Sequence, residues 1–189
     1  MSPISVRPSR RGRLSDGQTQ TSEVAMAGVN PIPQGMHTVT PNLVIRDCAK
    51  AIEFYKRALG AQEVVRMPAP DGKSIWHAEL RFGDSMVFLA DEMPGMSRPA
   101  PTADQPVPVT MWLYVNDTDA AYRRAMDAGA KSVAEPTDMF WGDRCAGVAD
   151  PFGYLWSFAT HQKDLTQEEM RRAGEEFART MQQQGAQRT

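Results

Sequence analysis

The chain has 189 residues, a formal charge of −2, 41% hydrophobic residues and 23% charged residues. These values are typical of a globular protein and provide no basic surface for a nucleic acid. No apolar run approaches the roughly 20 residues that cross a bilayer, and none follows Arg10 and Arg11 as it would in a secretory signal. We therefore expect a cytoplasmic protein without a membrane or nucleic-acid partner.

Residues 1–36 predict a flexible N-terminal tail. Ser, Pro, Gly, Gln and Arg dominate this stretch, and no periodic apolar pattern runs through it. Contact with an acidic partner through Arg7, Arg10, Arg11 and Arg13 is the alternative, but a solvated tail is the favoured interpretation.

Residues 38–91 predict a βαβββ module. The β-branched residues of 38–45 indicate a strand, in which Pro41 favours an edge or a bulge. Asp47 is typical of a helix N-cap, and Gly60 of the residue that ends a helix. Three further strands are predicted at 63–67, 75–82 and 85–90.

Residues 107–160 repeat the same order of elements. A strand at 107–115 precedes a cap at Asp117 and a helix that ends at Gly129. Three strands follow, near 132–135, 144–148 and 154–160. Asp150, Pro151 and Gly153 have the preferences of a type I turn, which we expect to join the last two strands. The two halves thus form a diverged repeat.

Residues 163–189 predict a C-terminal helix and tail. Thr166 and Glu169 form a capping-box pattern, and apolar residues follow at helical spacing along one side: Met170, Ala173, Phe177 and Met181. We expect this helix to pack on the domain or on a second subunit.

The helix sequence DCAKAIEFYKRALG and the closing run DPFGYLWSFATH resemble the glyoxalase, bleomycin-resistance and dioxygenase superfamily, also called vicinal oxygen chelate. The runs HAELRFGDS and MFWGDR, together with that closing run, look like its PhnB-like branch. The resemblance covers residues 38–165. It implies an α+β domain at 37–162, in which tandem βαβββ modules form a curved mixed-sheet cup for a small molecule.

The resemblance also implies where a metal would bind. The four ligand positions of the metal-dependent members fall at or beside Thr40, Leu89, Thr110 and Ser157. Hydroxyl and aliphatic side chains are poor ligands for a divalent transition metal. We therefore expect no cofactor, and a divalent metal only at a non-standard site. His37 lies near the first position, but the strand alternation predicts that it points away from the cup.

Residues 75–82 alternate, so that His77 and Glu79 share one face of their strand. This pair is a candidate for a general base with an orienting carboxylate, or for binding a polar ligand. A solvated face with a row of charges is the alternative, and it is favoured.

The loop residues Trp141, Gly142, Asp143 and Arg144 combine an aromatic surface with a flexible glycine and two charges. This combination suits the binding of a planar or anionic ligand. Hydrogen bonding of Asp143 and Arg144 within the loop is an equal alternative.

Thr110, Trp112 and Tyr114 share a strand face, and the resemblance implies that this face lines the cup with Leu155, Ser157 and Ala159. An apolar wall with a few hydroxyls is typical of a small-molecule pocket. Core packing of Trp112 and Tyr114 is the alternative.

The remaining reactive side chains are interpreted as structural. Cys48 and Cys145 form no closely spaced pair and have no histidine nearby in the sequence, so we expect two packing residues in a reducing compartment. For His161 we expect a role in capping or anchoring the C-terminal extension in preference to binding a ligand.

Taken together, these features predict a homodimeric, metal-independent protein that binds a small organic molecule. The alternative is a lyase, isomerase or dioxygenase that uses a displaced metal site around His77 and Glu79 or acid-base chemistry alone. A regulatory module with a vestigial cup is a third hypothesis.

Overall fold

A computed structural model describes residues 29–186, and residues 1–28 of the predicted N-terminal tail lie outside the described residues. Eight strands and three helices follow one another in the order βαβββ, βαβββ, α. Their bounds are β1 Asn42–Ile45, α1 Cys48–Leu59, β2 Gln62–Pro68, β3 Ile75–Phe82, β4 Ser85–Asp91, β5 Thr110–Tyr114, α2 Thr118–Asp127, β6 Lys131–Asp138, β7 Asp143–Ala149, β8 Leu155–His161 and α3 Gln167–Ala186.

The strands form two sheets of four strands with the same topology. The first has the order β1-β4-β3-β2 and the second β5-β8-β7-β6. In each sheet the first strand pairs parallel with the last, and the other pairs are antiparallel. The predicted α+β architecture of tandem βαβββ modules is confirmed.

The two module helices begin where the sequence predicts. Asp47 accepts a hydrogen bond from the backbone N–H of Lys50 at 3.3 Å, and Asp117 accepts one from Ala120 at 2.9 Å. Gly60 ends α1 in the left-handed conformation, with φ of 72°. A residue without a Cβ adopts that conformation at little cost.

The core lies between the helices and the sheet faces that they cover. Tyr55 of α1 and Trp156 of β8 are both fully buried, and their ring centroids lie 5.2 Å apart. Phe82 of β3 stacks on Trp156 at 5.3 Å. The two modules therefore share one core.

The opposite side of each sheet carries no module helix. Directly paired residues of neighbouring strands share a face, so the register assigns residues to each side. The first open face is defined here by Val65, Met67, His77, Glu79 and Phe88. The second open face is defined by Thr110, Trp112, Tyr114, Asp143, Ser157, Ala159 and His161.

Three strands differ from the sequence prediction by more than one residue at one end. The predicted strands 38–45 and 107–115 are shorter in the structure, as β1 and β5 begin only after Pro41 and Pro108. Proline cannot donate a hydrogen bond to a ladder. The predicted strand 132–135 is longer, because β6 continues through Pro136 at the edge of its sheet, where the missing donor is tolerated.

The C-terminal helix begins with the predicted capping box. The backbone N–H of Thr166 donates to Glu169 at 2.8 Å, and that of Glu169 donates to the Thr166 hydroxyl at 3.3 Å. The Phe177 ring lies 5.5 Å from that of Phe140. The helix thus packs on the loop that precedes β7.

Candidate functional site

Aromatic side chains on the edge strand β5 dominate the second open face. Trp112 pairs with Ser157, and Tyr114 with Ala159. Trp112 is 46% exposed and Tyr114 69% exposed. The alternation predicted for this strand is therefore present, and the two rings are surface groups rather than core residues.

The carboxylate of Asp143 is the centre of a hydrogen-bond cluster on this face. It is only 4% exposed. Its Oδ2 accepts from the Tyr114 hydroxyl at 3.3 Å and from the Trp141 indole N–H at 3.2 Å. Its Oδ1 accepts from Nδ1 of His161 at 2.7 Å. A buried carboxylate needs such partners, and these three hold it on the open face.

A tight turn positions Trp141 and Asp143. The Gly142 N–H donates to the Met139 carbonyl at 3.0 Å, and the Met139 N–H donates to the Asp143 carbonyl at 2.7 Å. Gly142 has a φ of 98°, and its carbonyl accepts from the backbone N–H groups of Gln162 and Lys163. The turn is therefore attached to the segment that follows β8.

Arg144 lies on the other side of β7. Its guanidinium forms ion pairs with Asp119 of α2 at 2.5 Å and with Asp138 of β6 at 3.0 Å. These carboxylates raise the pKa of Arg144 above its usual range, and Arg144 in turn lowers the pKa of Asp119. The structure therefore does not bring Arg144 together with Trp141 and Asp143.

The first open face carries the predicted His77 and Glu79 pair. His77 Nε2 lies 3.1 Å from Oε1 of Glu79. The Phe88 ring packs edge-on against the imidazole, with centroids 4.9 Å apart. The predicted proximity of the two side chains is present, but on a different sheet from the Asp143 cluster.

His161 belongs to the Asp143 cluster, although the sequence favours a role in capping or anchoring the C-terminal extension over binding a ligand. The alternation of β8 places Ser157, Ala159 and His161 on one side of the strand, and extending that pattern by one step beyond Ala159 was the available signal. His161 does contact the segment that follows β8, since Nε2 lies 3.1 Å from Asp164.

A cavity of about 420 Å³ lies where the edge of β5 meets the β3–β4 hairpin. Trp112 and Tyr114 line it together with Leu59, Met86 and Met111. The cavity therefore lies at the junction of the two modules, and residues of the second open face contribute to its wall.

The metal positions implied by the family resemblance do not suit a metal ion. Leu89 is fully buried beneath α1, and the Thr40 hydroxyl donates to the His37 carbonyl at 3.4 Å. Thr110 and Ser157 offer neutral hydroxyls. Within residues 29–186, no three side chains of His, Cys, Asp or Glu are grouped so that they could bind a metal ion. The donor chemistry therefore does not fit the metal of the metal-dependent members.

The two cysteines occupy unreactive surroundings. Cys48 is fully buried, and burial raises the pKa of its thiol to about 12. Burial also raises the pKa of the Cys145 thiol. Thiolate formation is therefore disfavoured at both positions. Within the described part of the chain, no helix has the length and apolar character needed to cross a membrane.

The family model described as the Glyoxalase/Bleomycin resistance protein/Dioxygenase superfamily matches residues 35–158. An uncharacterised protein of Mycobacterium tuberculosis is 38% identical over 164 residues, which cover 85% of this chain and 92% of that protein. Among solved structures, TioX from Micromonospora sp. ML1 is 28% identical with a TM-score of 0.54, over 65% of this chain and 97% of TioX. A gene product of Arabidopsis thaliana is 30% identical with a TM-score of 0.53, over 66% of this chain and 98% of that chain.

The match extends over both modules and agrees with the βαβββ repeat of the structure. On the strength of that match, this chain belongs to the Glyoxalase/Bleomycin resistance protein/Dioxygenase superfamily.

Proposed function

We propose that this chain is a metal-independent small-molecule-binding protein whose ligand lies against the second open face. One observation carries the proposal: the exposed rings of Trp112 and Tyr114 share a sheet face with the buried Asp143, whose carboxylate accepts three side-chain hydrogen bonds. Pockets for small molecules combine apolar walls with a few fixed polar groups. This face has that composition.

The geometry supports an aromatic or partly apolar ligand. Tyr and Trp present large, rigid surfaces on which planar molecules stack. The cavity that touches both rings has about 420 Å³, within the range of small-molecule sites. Asp143, held by three side-chain donors, keeps the neighbouring polar groups in fixed orientations.

The proposal includes no metal cofactor. The hydroxyls of Thr110 and Ser157 suit hydrogen bonding to a ligand better than coordination of a transition metal. Ligand binding should therefore be insensitive to chelators.

We further propose that the protein is a homodimer. Val65 and Met67 of the first open face are exposed apolar side chains, as are Trp112 and Tyr114 of the second. Apolar surface of this kind often marks an interface. If the first open face of one copy meets the second open face of its partner, a two-fold axis repeats the contact and each ligand site lies between the two copies.

Two finer assignments belong to the same proposal. The runs HAELRFGDS and MFWGDR support membership of the PhnB-like branch. Free, high-pKa thiols at Cys48 and Cys145 support a reducing cytoplasmic location.

A thermal-shift screen of small aromatic compounds, with and without EDTA, tests the binding function. We expect compounds that raise the Tm equally in both conditions, and no stabilisation of Trp112→Ala or Asp143→Asn. Trp76→Ala is the matched control, since Trp76 is also 46% exposed but the alternation along β3 places it on the side of Ala78, away from both open faces. Stabilisation that requires a divalent ion would contradict the proposal.

Light scattering coupled to gel filtration tests the dimer. We expect twice the chain mass for the wild type and a shift toward the monomer in Met67→Lys, because a charge at the interface costs desolvation energy. Met96→Lys, at an exposed loop position outside both open faces and away from the cavity, is the control. A monomeric wild type would contradict the proposed assembly.

The second candidate function is an enzyme of lyase, isomerase or dioxygenase type, and one observation favours it. His77 and Glu79 form a half-buried pair at 3.1 Å, in which the carboxylate orients the imidazole. Turnover of a ligand found in the screen, lost in His77→Gln and retained in EDTA, would favour acid-base catalysis over binding alone.

A further inference from the structure

His161 has carboxylates at both ring nitrogens. Nδ1 lies 2.7 Å from Oδ1 of Asp143, and Nε2 lies 3.1 Å from Oδ1 of Asp164. A carboxylate at neutral pH only accepts hydrogen bonds. Both ring nitrogens must therefore carry protons for both bonds to form, so the geometry is that of an imidazolium cation.

The two carboxylates differ in exposure and in their hydrogen bonds. Asp143 is buried and held by Tyr114 and Trp141 in addition to His161. The Asp164 side chain is fully exposed, and His161 is its only hydrogen-bond or ion-pair partner among the described residues. Exposed pairs of this kind contribute little stability. A competing carboxylate from solution can therefore replace Asp164 but not Asp143.

Next to His161 lies a polar depression of about 420 Å³ at the carboxyl ends of the parallel strands β5 and β8. Tyr114, Asn116, Thr160 and His161 are among the residues that line it. No hydrogen bond of the Asn116 side chain is found within residues 29–186, so its amide remains available to a ligand. The depression adjoins the aromatic ring of Tyr114 on the second open face.

We infer that Nε2 of His161 is a binding point for the carboxylate of a small aromatic acid, and that Asp164 takes this place when no such ligand is bound. The inference rests on the proposed binding function and narrows its ligand to an anionic class. The ring of the ligand packs beside Tyr114, and its carboxylate accepts the Nε2 proton.

The surrounding charges define how binding depends on pH. Asp143 on β7 and Asp164 after β8 face the imidazole, and Tyr114 reaches the Asp143 carboxylate from β5. The hydrogen bonds of Asp143 and then Asp164 raise the pKa of His161 above its usual range. Affinity for a carboxylate is therefore full below that raised pKa and declines as the pH rises through it.

Benzoate and its neutral analogue benzamide are the probes. Binding is followed by the imidazole ¹⁵N resonances of His161 in the full chain, which report the ring itself. We expect benzoate to bind roughly fivefold more tightly than benzamide, because a hydrogen bond to a charged acceptor is the stronger one. The Nε2 resonance should move and the Nδ1 resonance should stay, since Asp143 remains in place.

Asp164→Ala removes the internal competitor and should tighten benzoate binding about two- to fivefold, the range measured for exposed ion pairs. Asp104→Ala is the matched control, because Asp104 is an exposed carboxylate and its loss changes the net charge equally. His161→Gln should abolish the preference for benzoate, and an unchanged circular dichroism spectrum would establish that this variant folds.

Three results would overturn the inference. The first is equal binding of benzoate and benzamide, and the second is a failure of Asp164→Ala to bind benzoate. The third is an equal change in benzoate affinity for Asp164→Ala and Asp104→Ala. The proposed binding function is tested separately from this inference. A compound from the thermal-shift screen whose affinity is unaffected by His161→Gln would leave that function standing while excluding His161 from the site.

Discussion

The hydroxyl of Tyr55 in α1 donates a 2.7 Å hydrogen bond to Oδ2 of Asp150 in the turn between β7 and β8. The same carboxylate accepts from the Trp156 indole at 2.9 Å and from the backbone N–H groups of Phe152 and Tyr154. Asp150 is buried, and all four bonds are internal. A single carboxylate thus links the first module to the final turn of the second.

Replacing Tyr55 by Phe should destabilise the protein by about 2 kcal/mol, because a buried charged acceptor loses one of its donors. Urea denaturation followed by circular dichroism measures the change. Tyr122→Phe on α2 is the control, since no hydrogen bond of the Tyr122 hydroxyl is found among the described residues. Equal midpoints for the two variants would contradict the role assigned to the Tyr55–Asp150 bond.

Stability should fall at alkaline pH. Burial, and then the charge of Asp150, raise the pKa of Tyr55 well above its ordinary value of 10.0. The unfolded phenol loses its proton near that value while the folded one keeps it, so this contribution is complete below pH 10.0 and is lost as the pH rises above it. Tyr154, whose pKa burial raises to about 12, acts in the same direction.

The expected slope for Tyr55 is about 1.4 kcal/mol per pH unit between its unfolded and folded pKa values. Denaturation curves of the wild type and Tyr55→Phe, measured across this pH range, isolate the contribution of Tyr55. The variant should show the shallower pH dependence, and parallel curves would refute the assignment.

Gly142→Ala should damage both stability and ligand binding. The added Cβ would meet the carbonyl oxygen of Lys163, and the backbone already has a positive φ. Gly72→Ala is the matched control, because Gly72 also has a positive φ but nothing lies within 4 Å of its Cβ position. We expect about 1 kcal/mol of destabilisation for Gly72→Ala from the backbone alone, and a clearly larger loss for Gly142→Ala. Denaturation midpoints measure the stability of both variants, and the thermal-shift response to ligand measures their binding.

Arg144→Ala should leave ligand affinity unchanged, unlike Asp143→Asn at the adjacent position. The Arg144 guanidinium faces α2 and pairs with Asp119, on the side of β7 opposite the proposed site. Arg144→Ala should lose some thermal stability because its ion pairs are lost. Arg98→Ala should lose none, since Arg98 is exposed and has no ion pair among the described residues. A lower ligand affinity of Arg144→Ala would show that Arg144 does contribute to ligand binding.

The sequence predicts most of the fold because its signals are local. The caps at Asp47 and Asp117, the capping box at Thr166 and the turn at Asp150 each depend on residues within a few positions of one another. The strand limits near Pro41 were predicted too wide, since alternation in a strand continues into residues that no neighbouring strand pairs with.

Candidate site residues are partly predictable for the same reason. Alternation places Trp112 and Tyr114 on one face, and His77 beside Glu79, without reference to any other element. Which side chains meet across strands is a different question. Asp143 joins Tyr114 and His161 only because β7, β8 and β5 are brought into one sheet.

The amino-acid sequence by itself thus determined the βαβββ repeat, the helix ends and the faces on which aromatic and charged residues lie, because these follow from periodicity and short-range hydrogen bonding. Only the tertiary structure decided which partners Asp143 and Arg144, adjacent in the chain, contact. Successive residues of a strand point to opposite sides. Sheet register and helix packing then gave Asp143 the aromatic open face and Arg144 the carboxylates of α2 and β6.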